Sequence, residues 1–402
     1  MQYLSSADLL LSLQSGFRPG HSTEIAVLRV LSDILQAVDC GDSAALILLD
    51  LSAAFDTVDH SILLQRLQTT FSIHDAAHRW FHSYLSGWYQ YVRRGSVRSS
   101  VIELIGGVPQ GSVLGPILFV LYTAYFVQLI ETFSLSPHLH ADDTQVYGSC
   151  APTAVALPAS QISECVDAVV AWMKSNRLQL NSAKTDLWCA TSRRHHQLPM
   201  TAMLIDGFPV TLVQNVRDLS MRTHVQQTTS SCFAALHQLR QVRRLVPTAT
   251  FQTLTVALVN QWLDYGNSTL VNAAAWLIFH LRRFDHITDA LVSLHWLRVP
   301  ERIQFKIAML TYRVLHGNAP WYLGPLTSTL DVPGRRALRS AGTNRLVVPP
   351  VRLAIIGSRA FPVAAAHTWN SLPEHIVSAS TLQSFKRHLK TFLLQQSFRL
   401  AL

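Results

Sequence analysis

Five consecutive apolar residues, Ala45 to Leu49, stop abruptly at Asp50. Bounded by Gly41 and Asp50, the run is too short for a buried helix and does not alternate with polar residues, so it predicts a strand covered on both faces. Before it, Ile25, Leu28, Leu31 and Leu35 are spaced like one face of a helix over 22–38, closed by Cys40-Gly41-Asp42. After it, residues 61–85 read as helical, and 88–105 as a hairpin turning at Arg94-Gly95-Ser96. Gly106-Gly107 and Gly111 bracket a loop ahead of an apolar helix over 116–130. The flanks of Ala141-Asp142-Asp143 are extended from His138 to Tyr147, which predicts a tight hairpin with the acid pair at its tip. Ile162, Val166, Val169 and Met173 then mark a helix over 160–175. Strand, helix, hairpin and helix in this order describe a mixed α/β unit up to about residue 200.

Beyond residue 215 the pattern changes to helices separated by Pro and Gly. Ile303, Ile307, Leu310 and Val314 form an apolar stripe ending at Gly317, and Ser380 with Gln383 has capping-box spacing ahead of a last helix. Residues 325–362, rich in Pro, Gly and Arg, read as a long irregular connection. Charge divides the same way. Residues 1–200 hold 12 Lys+Arg against 16 Asp+Glu, a net of −4, whereas 201–402 hold 21 against 8, a net of +13. Of the 33 basic residues 28 are Arg, which pairs with phosphate through two nitrogens and stacks on bases; a nucleic-acid-facing second half and a merely solvated surface both fit. The five cysteines are widely spaced without a C-x-x-C, so a reducing, intracellular compartment is expected, nuclear or cytoplasmic rather than secreted. The apolar stretch Val113–Ile130 is interrupted by Gly115, Pro116 and Gln128, which predicts a core helix and no membrane span.

The chemistry-bearing candidates are carboxylates. Asp50 at a strand end and Asp142-Asp143 in a turn could meet at one sheet edge. Three carboxylates so placed repel one another, and their hard oxygens select Mg²⁺ or Mn²⁺. Taken singly, Asp50 is equally a turn cap and Asp142-Asp143 a solvated hairpin tip. His74 with His78, and His195-His196, lack a third ligand for a metal site. Asp56, Asp59 and His60 read as residues that shape a turn and a helix start. Trp172, Trp188, Trp262, Trp276, Trp296, Trp321 and Trp369 lie mostly within apolar patterns and read as core.

Four segments in order sharpen the reading: LLDLSAAFDTVDH (48–60), GGVPQGSVLGPILFVLY (106–122), HADDTQVY (140–147) and LQLNSAKT (178–185). Together with SGFRPGHST (15–23), they resemble the reverse transcriptase of LINE-type, non-LTR retrotransposons, and WLDYGNSTL, LTYRVLHGNAPWYL and the terminal WNSLPEHI segment resemble the C-terminal part of the same element proteins. The resemblance implies an α/β right-hand polymerase palm with partial fingers over 1–200. A helical thumb-like or connecting region over 201–275 and a basic helical extension over 276–402 would follow. It implies RNA-directed DNA polymerase activity on an RNA template and DNA primer with dNTPs. Asp50, Asp142 and Asp143 would hold two Mg²⁺ ions, or Mn²⁺, and Lys184 would protonate the pyrophosphate. Phe55 would lie under the sugar and exclude a 2′-hydroxyl. Pro109, Gln110 and Gly111 would approach nucleotide and template, and Arg18 would touch one of them. His140 stands where the family usually has Tyr, and the sequence opens just before the SGFR segment, so the fingers and their triphosphate-binding basic residues are expected to be incomplete. The alternative implied is a catalytically inactive, nucleic-acid-binding relic of such an element.

Overall fold

The computed structural model describes residues 2–7, 9–151, 156–181, 184–191, 202–205, 208–213, 234, 236–255, 268–279, 281, 285–332 and 344–398. The chain forms two compact units, Met1–Val216 with Val351–Ala360, and Arg217–Pro350 with Phe361–Leu402.

In the first unit, a short helix α1 (Gln2–Ser6) precedes α2 (Thr23–Cys40). Ser22 caps α2 by accepting from the Ile25 N–H, and Gly41 ends it at φ 97°, a left-handed conformation that a Cβ would strain. Strand β1 (Ser43–Leu49) follows, then β2 (Leu51–Ser52), α3 (His60–Thr69), α4 (Asp75–Leu85), and the short strands β3 (Tyr89–Gln90), β4 (Arg93–Arg94), β5 (Val97–Arg98) and β6 (Ile102–Glu103). Next come α5 (Gly115–Tyr122), α6 (Tyr125–Glu131), β7 (Ser136–His140), β8 (Asp143–Cys150), α7 (Ala156–Ser175) and β9 (Gln179–Leu180). Three further strands, β10 (Asp186–Thr191), β11 (Ala202–Ile205) and β12 (Phe208–Val213), complete a six-stranded sheet of order β11-β12-β10-β1-β8-β7.

β1 lies between β8 and β10, antiparallel to both, and is covered on both faces as its apolar run predicts. Ile47 and Leu49 point into a core shared with Val146, Leu187 and residues of α3, α5, α6 and α7, while Ala44, Leu46 and Leu48 pack with Tyr147 against Val30, Ile34 and Val38 of α2. The sheet continues past residue 200, because the β11–β12 hairpin joins β10 through β12 in parallel register.

The two long helices expected over 61–85 and 116–130 are each broken. The first stops at Thr69, where Phe71 turns into the core and Ser72 adopts φ 51° before α4 begins. The second breaks at Thr123, whose hydroxyl donates back to the carbonyls of Phe119 and Val120 and so competes with the helix ladder. Below these helices Arg66 is buried, with guanidinium hydrogen bonds to the Tyr122 carbonyl and the Asn176 side chain, and it lies over the rings of Tyr122 and Trp172.

Part of the connection expected to be irregular returns to this unit. The Asp39 carboxylate accepts from the backbone N–H groups of Arg352 (2.9 Å) and Leu353 (2.6 Å), and Ile356 of the short helix Ala354–Gly357 packs on the α2 cluster.

The elements described in the second unit are helices, among them Thr248–Thr255, Ser268–Phe279, Val299–Leu315, Phe361–Ser371 and Leu382–Phe398. Helix Val299–Leu315 is where the sequence places it, but it buries a different stripe: Phe305, Ala308, Met309 and Tyr312 face the core, and Ile303 is exposed. Two apolar stripes run along this helix, and the one carrying the larger rings wins because Tyr312 stacks on Phe385 with ring centroids 4.5 Å apart. The last helix is capped by Thr381, not Ser380: the Thr381 hydroxyl accepts from the Ser384 N–H, and its carbonyl accepts from Phe385. Trp296 and Trp369 are core as expected, but Trp321 is exposed; the side chains of Trp188 and Trp262, with His195-His196, lie outside those described. Among the described residues no helix is long and apolar enough to cross a membrane.

Candidate active site

The strand register brings the distant acids together. Leu49, the last residue of β1, pairs with Thr144, so the next position along, Asp50, stands opposite Asp143, the first residue of β8. Asp142 is the second residue of the two-residue loop joining β7 to β8, whose closing pair is His140 with Asp143. A small ladder, Leu51 with Leu180 and Ser52 with Gln179, draws the 178–185 segment beside Asp50. There the Lys184 ammonium lies 3.2 Å from Asp50 Oδ2, the Asn181 amide donates to the same oxygen at 3.2 Å, and the Asn181 N–H donates to the Asp50 carbonyl at 2.8 Å. Loss of solvation, with the charges of Asp142 and then Asp50 adding to it, raises the Asp143 carboxyl above the ordinary carboxylate range, although the residue keeps an accessible edge.

The hairpin tip is held by a residue that sequence reasoning did not single out. Ala141, immediately before Asp142, has φ 60°. Gln14 is fully buried; its Oε1 accepts from the N–H of Ala141 (2.9 Å) and of Gly16 (2.8 Å), and its Nε2 donates to the Ala141 carbonyl (3.3 Å). The backbones approach so closely that a Cβ on Gly16 would lie 2.3 Å from the Ala141 nitrogen. The signal was a polar residue wedged between Leu13 and Ser15 beside a glycine, which marks close backbone approach only once its neighbour is known.

Phe55 lies at the rim of the core of this unit. Its ring packs 4.6 Å from that of Phe119 and meets Phe17 edge-on, and its carbonyl accepts from Val108 at the base of the 106–111 loop. In that loop the Gln110 amide donates to Asp56 at 2.8 Å, Pro109 is half-buried, and Gly111 takes φ 76° facing open space. Asp59 caps α3 and His60 hydrogen-bonds the Gly107 carbonyl, the turn-shaping roles expected of them. The Arg18 guanidinium donates to the carbonyls of Leu11 (2.6 Å) and Gln14 (3.2 Å) and so braces the Gln14 segment.

His138, buried in β7 beside the same segment, shares a 3.0 Å hydrogen bond with the Ser15 hydroxyl. Burial, helped by Arg29, His140 and His21, lowers its pKa to about 4. The folded state therefore binds this proton more weakly than the unfolded chain. Stability from this group is full above about pH 6.5 and is lost as pH falls toward about 4, up to about 3 kcal/mol. Urea unfolding between pH 7.5 and 4.5 should show that loss in the native chain and a smaller one in His138→Asn; equal slopes would refute the assignment.

Residues 2–230, more than half of the chain, match the family model described as reverse transcriptase (RNA-dependent DNA polymerase). The chain belongs to the reverse transcriptase family. This reverse transcriptase is LINE-type: it is 29% identical over 263 residues to the probable RNA-directed DNA polymerase from transposon BS of Drosophila melanogaster, covering 61% of this chain and 28% of that protein. It is 32% identical over 198 residues to the corresponding protein of transposon X-element of the same fly (46% and 20%), and 30% identical over 176 residues to that of mobile element jockey of Drosophila funebris (42% and 19%). The chain thus spans less than a third of the length of these relatives. A solved telomerase of Candida albicans, in complex with a fragment of telomeric RNA, aligns with a TM-score of 0.38 at 13% identity over 76% of this chain and 55% of that one. The fold is mixed α/β with helical regions, consistent with the polymerase palm of the family.

Reverse transcriptases work with divalent cations. The donor chemistry here fits them: three carboxylates at one sheet edge, one of them raised by loss of solvation and then by its charged neighbours, form a hard-oxygen set whose repulsion a divalent ion relieves. Among the described residues no three His, Cys, Asp or Glu side chains are gathered tightly enough to hold an ion as they stand, and Asp50 faces the Lys184 ammonium instead.

Proposed function

We propose that this chain carries the polymerase core of a non-LTR retrotransposon's RNA-directed DNA polymerase, joining the α-phosphorus of a dNTP to the 3′-oxygen of a DNA primer on an RNA template and releasing pyrophosphate. The observation that supports it is the meeting of Asp50 with Asp143 through the β1–β8 register, with Asp142 at the adjoining turn and Lys184 on Asp50. Asp50, Asp142 and Asp143 would hold two Mg²⁺ ions, with Mn²⁺ as a substitute. When bound, such ions lower the pKa of the primer hydroxyl and neutralise charge on the triphosphate. Asp50 would turn its carboxylate from Lys184 toward the ion site, and the Lys184 ammonium, solvent-accessible, would deliver a proton from Nζ to the departing pyrophosphate oxygen. The Phe55 ring, backed by Phe119, is rigid enough to meet a 2′-hydroxyl sterically. Gly111 lets the loop backbone come close to the base pair being formed. The second half, with its net of +13, supplies phosphate contacts, so binding weakens linearly in log salt.

Purified chain incubated with an RNA template, DNA primer, dNTPs and Mg²⁺ should extend the primer, lose that activity in chelator and recover it with Mg²⁺ or Mn²⁺. Absence of incorporation across templates, with salt-dependent binding retained, would establish the inactive relic instead.

A further inference from the structure

Residues 79–105 carry four arginines and one glutamate, a net of +3 inside a first half whose net is −4. The stretch begins on the outer face of α4, where Trp80 is 53% exposed and stacks on Tyr84 with centroids 5.3 Å apart and planes 10° from parallel. The chain then forms a hairpin of two short ladders, β3 with β6 and β4 with β5, turning at Gly95 (φ 61°). The Trp88 indole N–H donates to the Tyr84 carbonyl at 2.6 Å, which satisfies its one polar atom and leaves the ring presented to solvent. Tyr89 and Tyr91 are exposed as well, and the Arg98 guanidinium lies 3.5 Å from the centre of the Tyr91 ring. Among the described residues no carboxylate pairs with Arg93, Arg94 or Arg98.

A surface of aromatic rings interleaved with guanidinium groups that no described carboxylate neutralises has the chemistry of a strand-binding platform: rings stack on bases of any sequence, and arginines neutralise phosphates. It also leads somewhere. A cavity of about 520 Å³ lies between Trp88, Gln90 and Leu104 at the base of the hairpin and Pro109 and Gln110 of the 106–111 loop. We propose that this face, centred on Trp88, Tyr91, Arg93, Arg94 and Arg98, is a track for single-stranded nucleic acid that holds unpaired template bases beside the 106–111 loop. The assignment of that strand as template rests on the polymerase reading; the binding itself does not.

The test uses the full chain and a single-stranded oligouridylate RNA carrying 5-bromouridine. Trp88→Ala with Tyr91→Ala should weaken binding about tenfold or more, as loss of stacked bases does. Arg93→Ala with Arg94→Ala, at exposed positions that leave the fold alone, should lower the salt slope by about 1.4, two phosphates' worth. Photocrosslinks should map to the 88–98 peptide. Unchanged affinity and slope in both variants, or crosslinks confined to other segments, would overturn the proposal and leave the face to a protein partner. A chain that crosslinks here yet never extends a primer would uphold the track and refute the polymerase reading; one that extends primers with unaltered kinetics in both variants and shows no crosslink here would do the reverse.

Discussion

Asp142→Ala is expected to lower primer extension by about a thousandfold or more while template affinity stays within about twofold. Removing one of three oxygen donors costs transition-state stabilisation of about 4 kcal/mol, since each 1.36 kcal/mol is a factor of ten in rate. Binding should survive because, on the proposed function, phosphates are held elsewhere, by the basic second half and by the arginines of the 88–105 hairpin. The fold survives too. Asp142 occupies a two-residue loop, and its carboxylate helps to raise that of Asp143, so its removal relieves repulsion. A variant that keeps more than a tenth of the extension rate would sink the carboxylate assignment. One that loses template binding in parallel would show that the substitution had damaged the fold.

The second large effect is predicted for the clamp on that loop. Gln14→Ala should cost about 2 kcal/mol of stability, because it leaves the buried Gly16 N–H and the partly buried N–H and carbonyl of Ala141 without their partner. Freed of the clamp, Ala141 relaxes from φ 60° and carries Asp142 with it, so extension falls and the Mg²⁺ needed for half-maximal rate rises. Gly16→Ala should act in the same direction by a different route, since its Cβ would lie 2.3 Å from the Ala141 nitrogen and the two backbones must part. Ala141→Gly, which removes the penalty for positive φ, should restore part of the loss in Gln14→Ala. Urea melts and Mg²⁺ titrations of extension, run where each variant remains folded, measure both effects. A Gln14→Ala protein that is destabilised yet keeps the native Mg²⁺ dependence would reduce the clamp to a packing role.

How much of this could be read beforehand depended on the range of the interaction. The strand expected at 45–49 (it starts two residues earlier, at Ser43), the α2 helix with its Ser22 and Gly41 ends, the turn at 140–143 and the 106–111 loop are set by periodicity and turn chemistry within about a dozen residues, and all appear where the sequence places them. The breaks at Thr69 and Thr123 were not legible, because each depends on a competing contact: a ring that finds the core, a hydroxyl that bonds backward. In Val299–Leu315 the helix was visible but its buried stripe was not. Two stripes were apolar, and only the arrival of Trp369 and Phe385, 57 and 73 positions after Tyr312, chose between them.

The candidate site divides in the same manner. Sequence by itself singled out the candidate groups, Asp50, Asp142, Asp143, Lys184 and Phe55, because their motifs are local and ordered. Only the tertiary structure decided how they meet and what holds them. Register between β1 and β8 places Asp50 against Asp143 across 93 positions, and the β2–β9 ladder sets Lys184 on Asp50. Gln14, 127 positions from Ala141, became a clamp, and Arg18 was drawn to the carbonyls of Leu11 and Gln14. The physical reason is that a buried backbone N–H must find an acceptor wherever the fold brings one, and no local pattern of side chains records which distant residue that will be.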